Sequence, residues 1–412
     1  MPRDHTQFDL IVFGATGFVG KLVCRHLLDH AKVKEELSWA VAGRSRQKLD
    51  GLISDLGQGA TELPCIIADA TDENSLKAMC KQTRVVISTV GPYALYGDTL
   101  VKVCAENGID YCDLTGEPQW IHRMMKQHET VARDSGARIV HCCGFDSIPS
   151  DLGVYYLQQK AREMFGTSCT QVSMRVMATK GGVSGGTVAS IVNLVKEAAG
   201  DSILRRAMKD PYWLSPHSKK ARKQSSTMIS VKFDEDFQRW VAPFVMAEVN
   251  TRVVLLSNTL QEYAYGENFC YEEGVLTRRG IIGWSYAQGI RLGMLGFILA
   301  AALPPTRWLL KKTILPAPGN GPSPEKQEKG FYDLRFMGRT DQGDKLQVRV
   351  TGNRDPGYGS TSMILGQTGI CLAKDDTIRR QAGGFWTPAA LCGDTLLHRL
   401  QKHAQLTFET IP

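Results

Sequence analysis

Three glycines at intervals of three, in Gly14-Ala-Thr-Gly17-Phe-Val-Gly20, follow an apolar run and precede residues 21–28, whose apolar positions recur at helical spacing. A strand, a glycine turn and a helix arranged in this way leave backbone amides free at the positive end of the helix, which suits a pyrophosphate. Gly14 permits the tight turn, Gly17 lets the backbone approach the phosphates, and Gly20 lets the helix pack closely on the strand. Thr16, Phe18 and Val19 complete the loop. The spacing is G-x-x-G-x-x-G, and the commoner pattern is G-x-G-x-x-G, so the downstream residues carry the assignment.

One strand-helix-strand unit later, a dinucleotide-binding fold places a carboxylate for the ribose 2′-hydroxyl. Here Arg44 occupies that position, followed by Ser45 and Lys48. A guanidinium and a hydroxyl suit a 2′-phosphate, so NADP is the expected cofactor. The plainer reading of Arg44 is a solvated loop residue. Asp69 and Ala70, after the third apolar run, fall near the adenine. Thr89, Val90 and Gly91 end the fourth run, where the nicotinamide half would pass.

Hydride chemistry needs a proton donor and a group that stabilises developing charge. Tyr93 and Tyr96 follow the Gly-Pro turn of the fourth strand and are candidates for that role, or for packing the turn. Asp146 and Ser147, at the end of the sixth strand, are catalytic candidates on the carboxyl edge where open α/β sheets bind ligands. Asp151 reads as part of a helix N-terminus. Asp113 and Glu117 are alternatives at the same edge. No Tyr-x-x-x-Lys pair follows the fourth strand, which disfavours the short-chain reductase mechanism.

These residues must be positioned by alternating elements. Apolar runs at 8–13, 38–44, 65–70, 84–92, 110–117 and 137–144 read as strands, with helices between them, including 100–105 and 119–135. The pattern implies an α/β class: a Rossmann-type parallel sheet with helices on both faces. After Thr170 longer strand-like stretches appear at 171–179, 249–257, 330–338 and 346–352, with a helix at 188–199 behind the glycine-rich 181–187. They imply a second α+β domain with a mainly antiparallel sheet. The expected domains are 1–150, 151–354, and a helical section 355–412 packing back on the first.

The chain has 412 residues and is 43% hydrophobic, enough for two cores. Its eleven cysteines show neither a C-x-x-C pair nor metal-site spacing with histidine, so they read as reduced, buried thiols with no metal. The residues ahead of the first strand look unlike a signal peptide, and a cytoplasmic location is expected. A net charge of +7 is modest for this length. Arg205, Arg206, Lys209, Lys219, Lys220, Arg222 and Lys223 form a basic cluster, either a solvated loop or an attraction for anionic headgroups or an acidic partner. No nucleic-acid motif is present. Residues 281–303 are the most apolar window, too short in uninterrupted run to span a bilayer. A buried helix is the leading expectation. Peripheral contact with one leaflet is the alternative, because Trp284, Tyr286 and Trp308 flank the window as interfacial anchors would.

Taken together, the glycine loop, Ala42-Gly-Arg-Ser45, Thr89-Val-Gly-Pro-Tyr93, Tyr96-Gly97, Asp113-Leu-Thr-Gly-Glu117 and Gly144-Phe-Asp-Ser-Ile-Pro-Ser-Asp151 resemble the saccharopine dehydrogenase-like oxidoreductases. Later segments, among them Ser184-Gly-Gly-Thr187, Asp210-Pro-Tyr212, Asn250-Thr-Arg252 and Thr387-Pro-Ala389, resemble the trans-acting enoyl reductases of bacterial polyketide and glycolipid pathways. The resemblance implies a Rossmann domain with a smaller inserted domain, NADPH or NADH as hydride source, and reduction of an imine or an activated double bond. Phe244, Tyr263, Tyr265 and the apolar window favour a lipid-like or acyl substrate, on an acidic carrier protein in one version, over saccharopine. A homodimer is a further expectation. Saccharopine-type amine dehydrogenation and a non-catalytic NADP-binding module attached to a membrane or partner are the alternatives.

Overall fold

The computed structural model describes residues 6–31, 37–182, 185–215, 230–313 and 321–411. The chain divides into two compact units, each assembled from separated stretches. One comprises Met1–Phe145, Pro316–Pro322 and Gly357–Ala404; the other comprises Asp146–Leu315, Ser323–Pro356 and Gln405–Pro412.

Six strands form in chain order from the early apolar runs: β1 (Phe8–Phe13), β2 (Trp39–Gly43), β3 (Cys65–Ile67), β4 (Thr83–Ser88), β5 (Asp110–Asp113) and β6 (Arg138–Val140). The later strands are β7 (Gln171–Lys180), β8 (Lys232–Asp234), β9 (Arg239–Ala242), β10 (Cys270–Leu276), β11 (Phe331–Arg339), β12 (Lys345–Gly352), β13 (Gly384–Trp386) and β14 (Leu406–Ile411).

In the first unit the sheet order is β13-β6-β5-β4-β1-β2-β3, with every pairing parallel. The inner strands β1, β2 and β4 are buried at nearly every position, as parallel strands covered on both faces are. The order reverses at β1, flanked by β2 and β4, and ligands of open α/β sheets bind outside the carboxyl ends at such a point. Helix Thr361–Lys374 packs on helix Phe18–Ala31 and on β1, β4 and β5. Buried Asp110 opens β5 and is gripped by Arg138 of β6, with Nη2 to Oδ2 at 2.7 Å. Arg138 also donates to the carbonyl of Arg379 at 2.7 Å. All eleven cysteines are free thiols, and all but Cys65 and Cys270 are buried.

The second unit contains the order β14-β12-β11-β7-β10-β9-β8. Its pairings are antiparallel except β7 with β10. Arg175 of β7 is buried between Asp234, at 2.7 Å, and Glu272, at 2.5 Å. Burial opposes ionisation of Glu272, yet Arg175 and Lys232 outweigh it and hold the carboxyl down at about 2.

Several expectations need correction. Residues 249–257 are not a strand: they lie in helix Ala247–Leu260, in which every residue from Val249 to Asn258 is buried. The only continuous apolar run here, 253–256, is too short for periodicity to separate a buried helix from a buried strand. The apolar window forms helix Gly280–Ala302, in which only Gly283, Ala287 and Ala301 are buried, so it is not a core helix. It packs on β9 and on helix Gly185–Gly200. Residues 406–411 are not helical; as β14 they pair with β12 in the second sheet. The basic residues from Lys219 to Lys223 lie outside the described residues.

In the first unit His26 hydrogen-bonds the Gln367 side chain at 2.9 Å, and its ring lies 6.3 Å from that of His30, which meets His403 at 4.6 Å. Burial, reinforced by His30, His403 and Arg399, pushes the His26 imidazole down to about 4. Between its ordinary value near 6.5 and 4, the unfolded chain binds a proton that folded His26 refuses. Stability is therefore full above this window and falls as the pH is lowered through it. His26→Gln is expected to shrink the loss of Tm between about pH 7 and pH 4.5 by ~2–5 °C in scanning calorimetry. An unchanged loss would exclude His26 as its source.

Candidate cofactor and active site

The first turn after β1 is shaped by close backbone contacts. Gly14 has φ +84°, and a Cβ there would stand 2.7 Å from Thr89 Oγ1 and Val90 Cγ2. A Cβ on Gly20 would stand 2.3 Å from the Gly14 carbonyl oxygen. These two glycines are demanded by the fold itself. Gly17 differs: it is exposed, and a Cβ would meet only the Gly14 oxygen at 3.3 Å. The amides of Phe18, Val19 and Gly20 have no hydrogen-bond partner among the described residues. An open backbone surface beside unpaired helix-start amides fits a pyrophosphate. Thr16 is half-buried in this loop. The Phe18 ring turns to Tyr358, edge-on at 4.9 Å, and a Cβ on Gly321 would approach it to 2.2 Å.

Beyond β2, Arg44 and Lys48 are exposed, and Arg44 forms no ion pair among the described residues. The Ser45 hydroxyl caps helix Arg46–Leu56 by accepting from the Lys48 amide at 3.4 Å. Asp69 accepts from the Thr71 amide at 2.9 Å and hydroxyl at 2.8 Å. These bonds, with the nearby Arg44 charge, hold its carboxyl below the usual carboxylate range. Ala70 follows, half-buried.

At the end of β4 the Thr89 hydroxyl donates to the Gly14 carbonyl at 3.0 Å, joining this turn to the glycine loop. Val90 and Gly91 lead to Pro92 and the short helix Tyr93–Tyr96. Tyr93 is buried; its hydroxyl donates to the Ser88 carbonyl at 3.0 Å and accepts from the Leu114 amide at 3.1 Å. Burial, with Asp113 nearby, raises its pKa well above the ordinary phenol value. The structure thus commits Tyr93 to bracing the turn. Glu117 is also committed, accepting from the Tyr93 amide at 2.8 Å and the Ala94 amide at 3.2 Å. Tyr96 is 43% exposed, and its hydroxyl has no partner among the described residues.

Sequence reasoning missed His141. Its Nδ1 lies 2.7 Å from Asp113 Oδ2, and its Nε2 is buried with no hydrogen-bond partner among the described residues. Asp113 also accepts from the Tyr111 hydroxyl at 3.0 Å, the Thr115 amide at 3.0 Å and the Cys142 amide at 3.3 Å. The signal was present in the parallel register: Cys112 pairs with Val140, so Asp113 and His141 leave their strands side by side.

Asp146 and Ser147 open the second unit. Asp146 accepts from Thr187 Oγ1 at 3.0 Å, and burial pushes its carboxyl up. Ser147 is buried and donates to Asn250 Oδ1 at 2.8 Å. Asn250 in turn donates to Glu273 at 3.0 Å, and Glu273 accepts from Tyr271 at 2.7 Å. Burial pushes Glu273 up to about 7, so it exchanges its proton near neutrality. Asp151 accepts from Ser257 at 2.5 Å. Tyr265, expected beside an acyl chain, is a core residue whose hydroxyl accepts from Gln261 at 2.9 Å. No group of three or more His, Cys, Asp or Glu among the described residues could hold a metal.

Residues 10–140 match the saccharopine dehydrogenase NADP binding domain. A Mycobacterium tuberculosis protein provisionally named as a trans-acting enoyl reductase is 38% identical over 97% of both chains. The trans-acting enoyl reductases of Mycobacterium bovis and Mycobacterium ulcerans are 37% and 35% identical, also over 97% of each chain. Saccharopine dehydrogenase (L-Glu forming) from Saccharomyces cerevisiae shares the fold with TM-score 0.54 and 12% identity, over 98% of this chain and 99% of that one. The parallel sheet and its glycine loop are therefore those of an NADP-dependent oxidoreductase. The chain belongs to the saccharopine dehydrogenase-like family, within its trans-acting enoyl reductase branch.

Because Gly17 alone of the three loop glycines is open, Gly17→Val is expected to leave a folded protein that no longer binds NADPH in calorimetry, while Gly20→Val disrupts the fold. Retained binding in Gly17→Val would remove the loop from the phosphate site. Arg44→Asp is expected to weaken NADPH binding by ~1.5–3 kcal/mol, the value of a charge-assisted contact, and to leave NADH binding nearly unchanged. Equal losses for the two cofactors would place the 2′-phosphate elsewhere.

Proposed function

We propose that the protein reduces the carbon–carbon double bond of an α,β-unsaturated, lipid-like acyl group with NADPH. The likeness to trans-acting enoyl reductases over 97% of the chain carries this reading. In it, Gly14, Thr16, Gly17, Phe18, Val19 and Gly20 supply the phosphate cradle, and Arg44, Ser45 and Lys48 surround the 2′-phosphate. Asp69 and Ala70 border the adenine, and Thr89, Val90 and Gly91 border the nicotinamide half.

The chemistry that the bound cofactor supplies is a hydride for the β-carbon. A proton must reach the α-carbon, and the acyl oxygen must be stabilised as charge develops on it. Tyr96 suits the proton because its phenol is exposed beyond β4 with no protein partner among the described residues. Tyr93 and Glu117 hold the helix that carries it. Asp146, a half-buried carboxyl with a raised pKa, is the donor to compare with Tyr96. The net charge of +7 favours delivery of the acyl group by an acidic carrier protein.

NADPH oxidation with enoyl thioesters tests the reading, with faster turnover expected for long chains because each buried methylene contributes ~0.8 kcal/mol. Tyr96→Phe is expected to lower kcat by roughly 100-fold with NADPH affinity unchanged. Tyr93→Phe is expected to lower Tm instead. Full kcat in Tyr96→Phe would return the proton to Asp146 or water. Oxidation of saccharopine without consumption of any enoyl substrate would replace the reading by an amine dehydrogenase.

A further inference from the structure

We infer that helix Gly280–Ala302 lies in the plane of an anionic phospholipid surface, docking the second unit on one leaflet of a membrane. The proposal goes beyond the reaction and is independent of it.

A helix apolar on all sides is ordinarily buried. Here Ile281, Ile282, Tyr286, Leu292, Leu299 and Leu303 are all exposed, between 56% and 79%. They fall on one face at helical spacing, opposite the buried Gly283, Ala287 and Ala301, and the helix packs on β9 and on helix Gly185–Gly200. This is a broad apolar face with no cover among the described residues of its own unit, larger than the scattered apolar residues of an ordinary surface. Trp284 and Trp308, 42% and 63% exposed, flank it, and an indole favours the boundary between hydrocarbon and headgroups.

Charge selects the partner. From residue 274 to 324 the chain contains no Asp or Glu, while Arg278, Arg279, Arg291, Arg307, Lys311 and Lys312 are all cationic. Arg278 and Arg279 are exposed at the start of the helix. Arg291, the only charge within it, is half-buried and donates to Gln288 at 3.4 Å. A second copy of the chain joined through the same face would set cations against cations. An anionic lipid surface complements them and accepts the apolar side chains between its headgroups. The helix does not cross: no helix among the described residues is long and apolar enough to span a membrane.

Co-sedimentation of the full chain with phosphatidylcholine vesicles, with and without phosphatidylserine, tests the inference. Binding to the anionic vesicles is expected, weakening as salt is raised. Leu292→Glu/Leu299→Glu is expected to weaken it by at least about tenfold, and Arg278→Glu/Arg279→Glu to abolish the preference for phosphatidylserine. Both variants should bind NADPH as the unmodified protein does, which shows that they fold and separates this outcome from any failure to reduce enoyl thioesters. No vesicle binding by the unmodified protein, or undiminished binding by Leu292→Glu/Leu299→Glu, would overturn the proposal. A dimer in light scattering that the same leucine substitutions dissociate would assign the face to a second copy instead.

Discussion

The carboxylate of Asp113 is the constraint on which the reactive edge of the parallel sheet depends. It is wholly buried, a position tolerable for a charge only when hydrogen bonds replace water. It obtains them from Tyr111, Thr115, His141 and Cys142, and so joins the end of β5, the chain beyond β6 and the turn between them. Cys142 adopts a left-handed φ of +62°, a conformation costly for a residue with a side chain, with its amide turned to this carboxylate. Glu117, four residues later, does for the β4 turn what Asp113 does for β6. Both acids read from the sequence as candidate reactive groups, and in the structure each is tied to backbone amides. What they leave exposed on this edge is the open Gly17 backbone, Arg44 and Tyr96.

The positions of the first six strands were legible, most plainly β1 and β2, because a parallel strand covered on both faces is apolar along its length; the expected runs 65–70, 84–92, 110–117 and 137–144 extend past the ends of β3, β4, β5 and β6. The glycine loop was legible for a related reason: a close backbone approach admits no other residue at Gly14 or Gly20. The roles of Tyr93, Asp113 and Glu117 were not. A buried phenol and an exposed one carry the same letter, and only the carbonyl of Ser88 and the amide of Leu114 distinguish Tyr93 from Tyr96. Helix Ala247–Leu260 escaped because its one continuous apolar run, 253–256, is too short to show the period that separates helix from strand. Helix Gly280–Ala302 was legible as a helix but its exposure was not: hydrophobicity reports a preference for an apolar environment without saying whether protein or something else provides it. Three-residue strands such as β8 and β13 are too short to carry any pattern.

The second unit concentrates its polar burial in two places of different character. Around Arg175 opposite charges meet, so Glu272 stays ionised to low pH. Around Glu273 burial dominates; Asn250 and Tyr271 bond the carboxyl, and it retains its proton to near neutrality. Ser147, beside Asp146, is tied to the second arrangement through Asn250. The orientation of Ser147 therefore rests on a network containing an acid that titrates near neutral pH.

The chain passes between the two units at 145/146, 315/316, 322/323, 356/357 and 404/405. During synthesis the amino-terminal part emerges first, yet neither sheet can be completed early. The parallel sheet waits for β13, and the mixed sheet gains its edge strand β14 only once residue 411 has emerged. Helix Thr361–Lys374, which covers β1, β4 and β5, also comes late, leaving the apolar face of those strands bare while most of the chain is made. Such surface is prone to association before it is covered. The nascent chain therefore spends most of its translation as an incomplete pair of sheets.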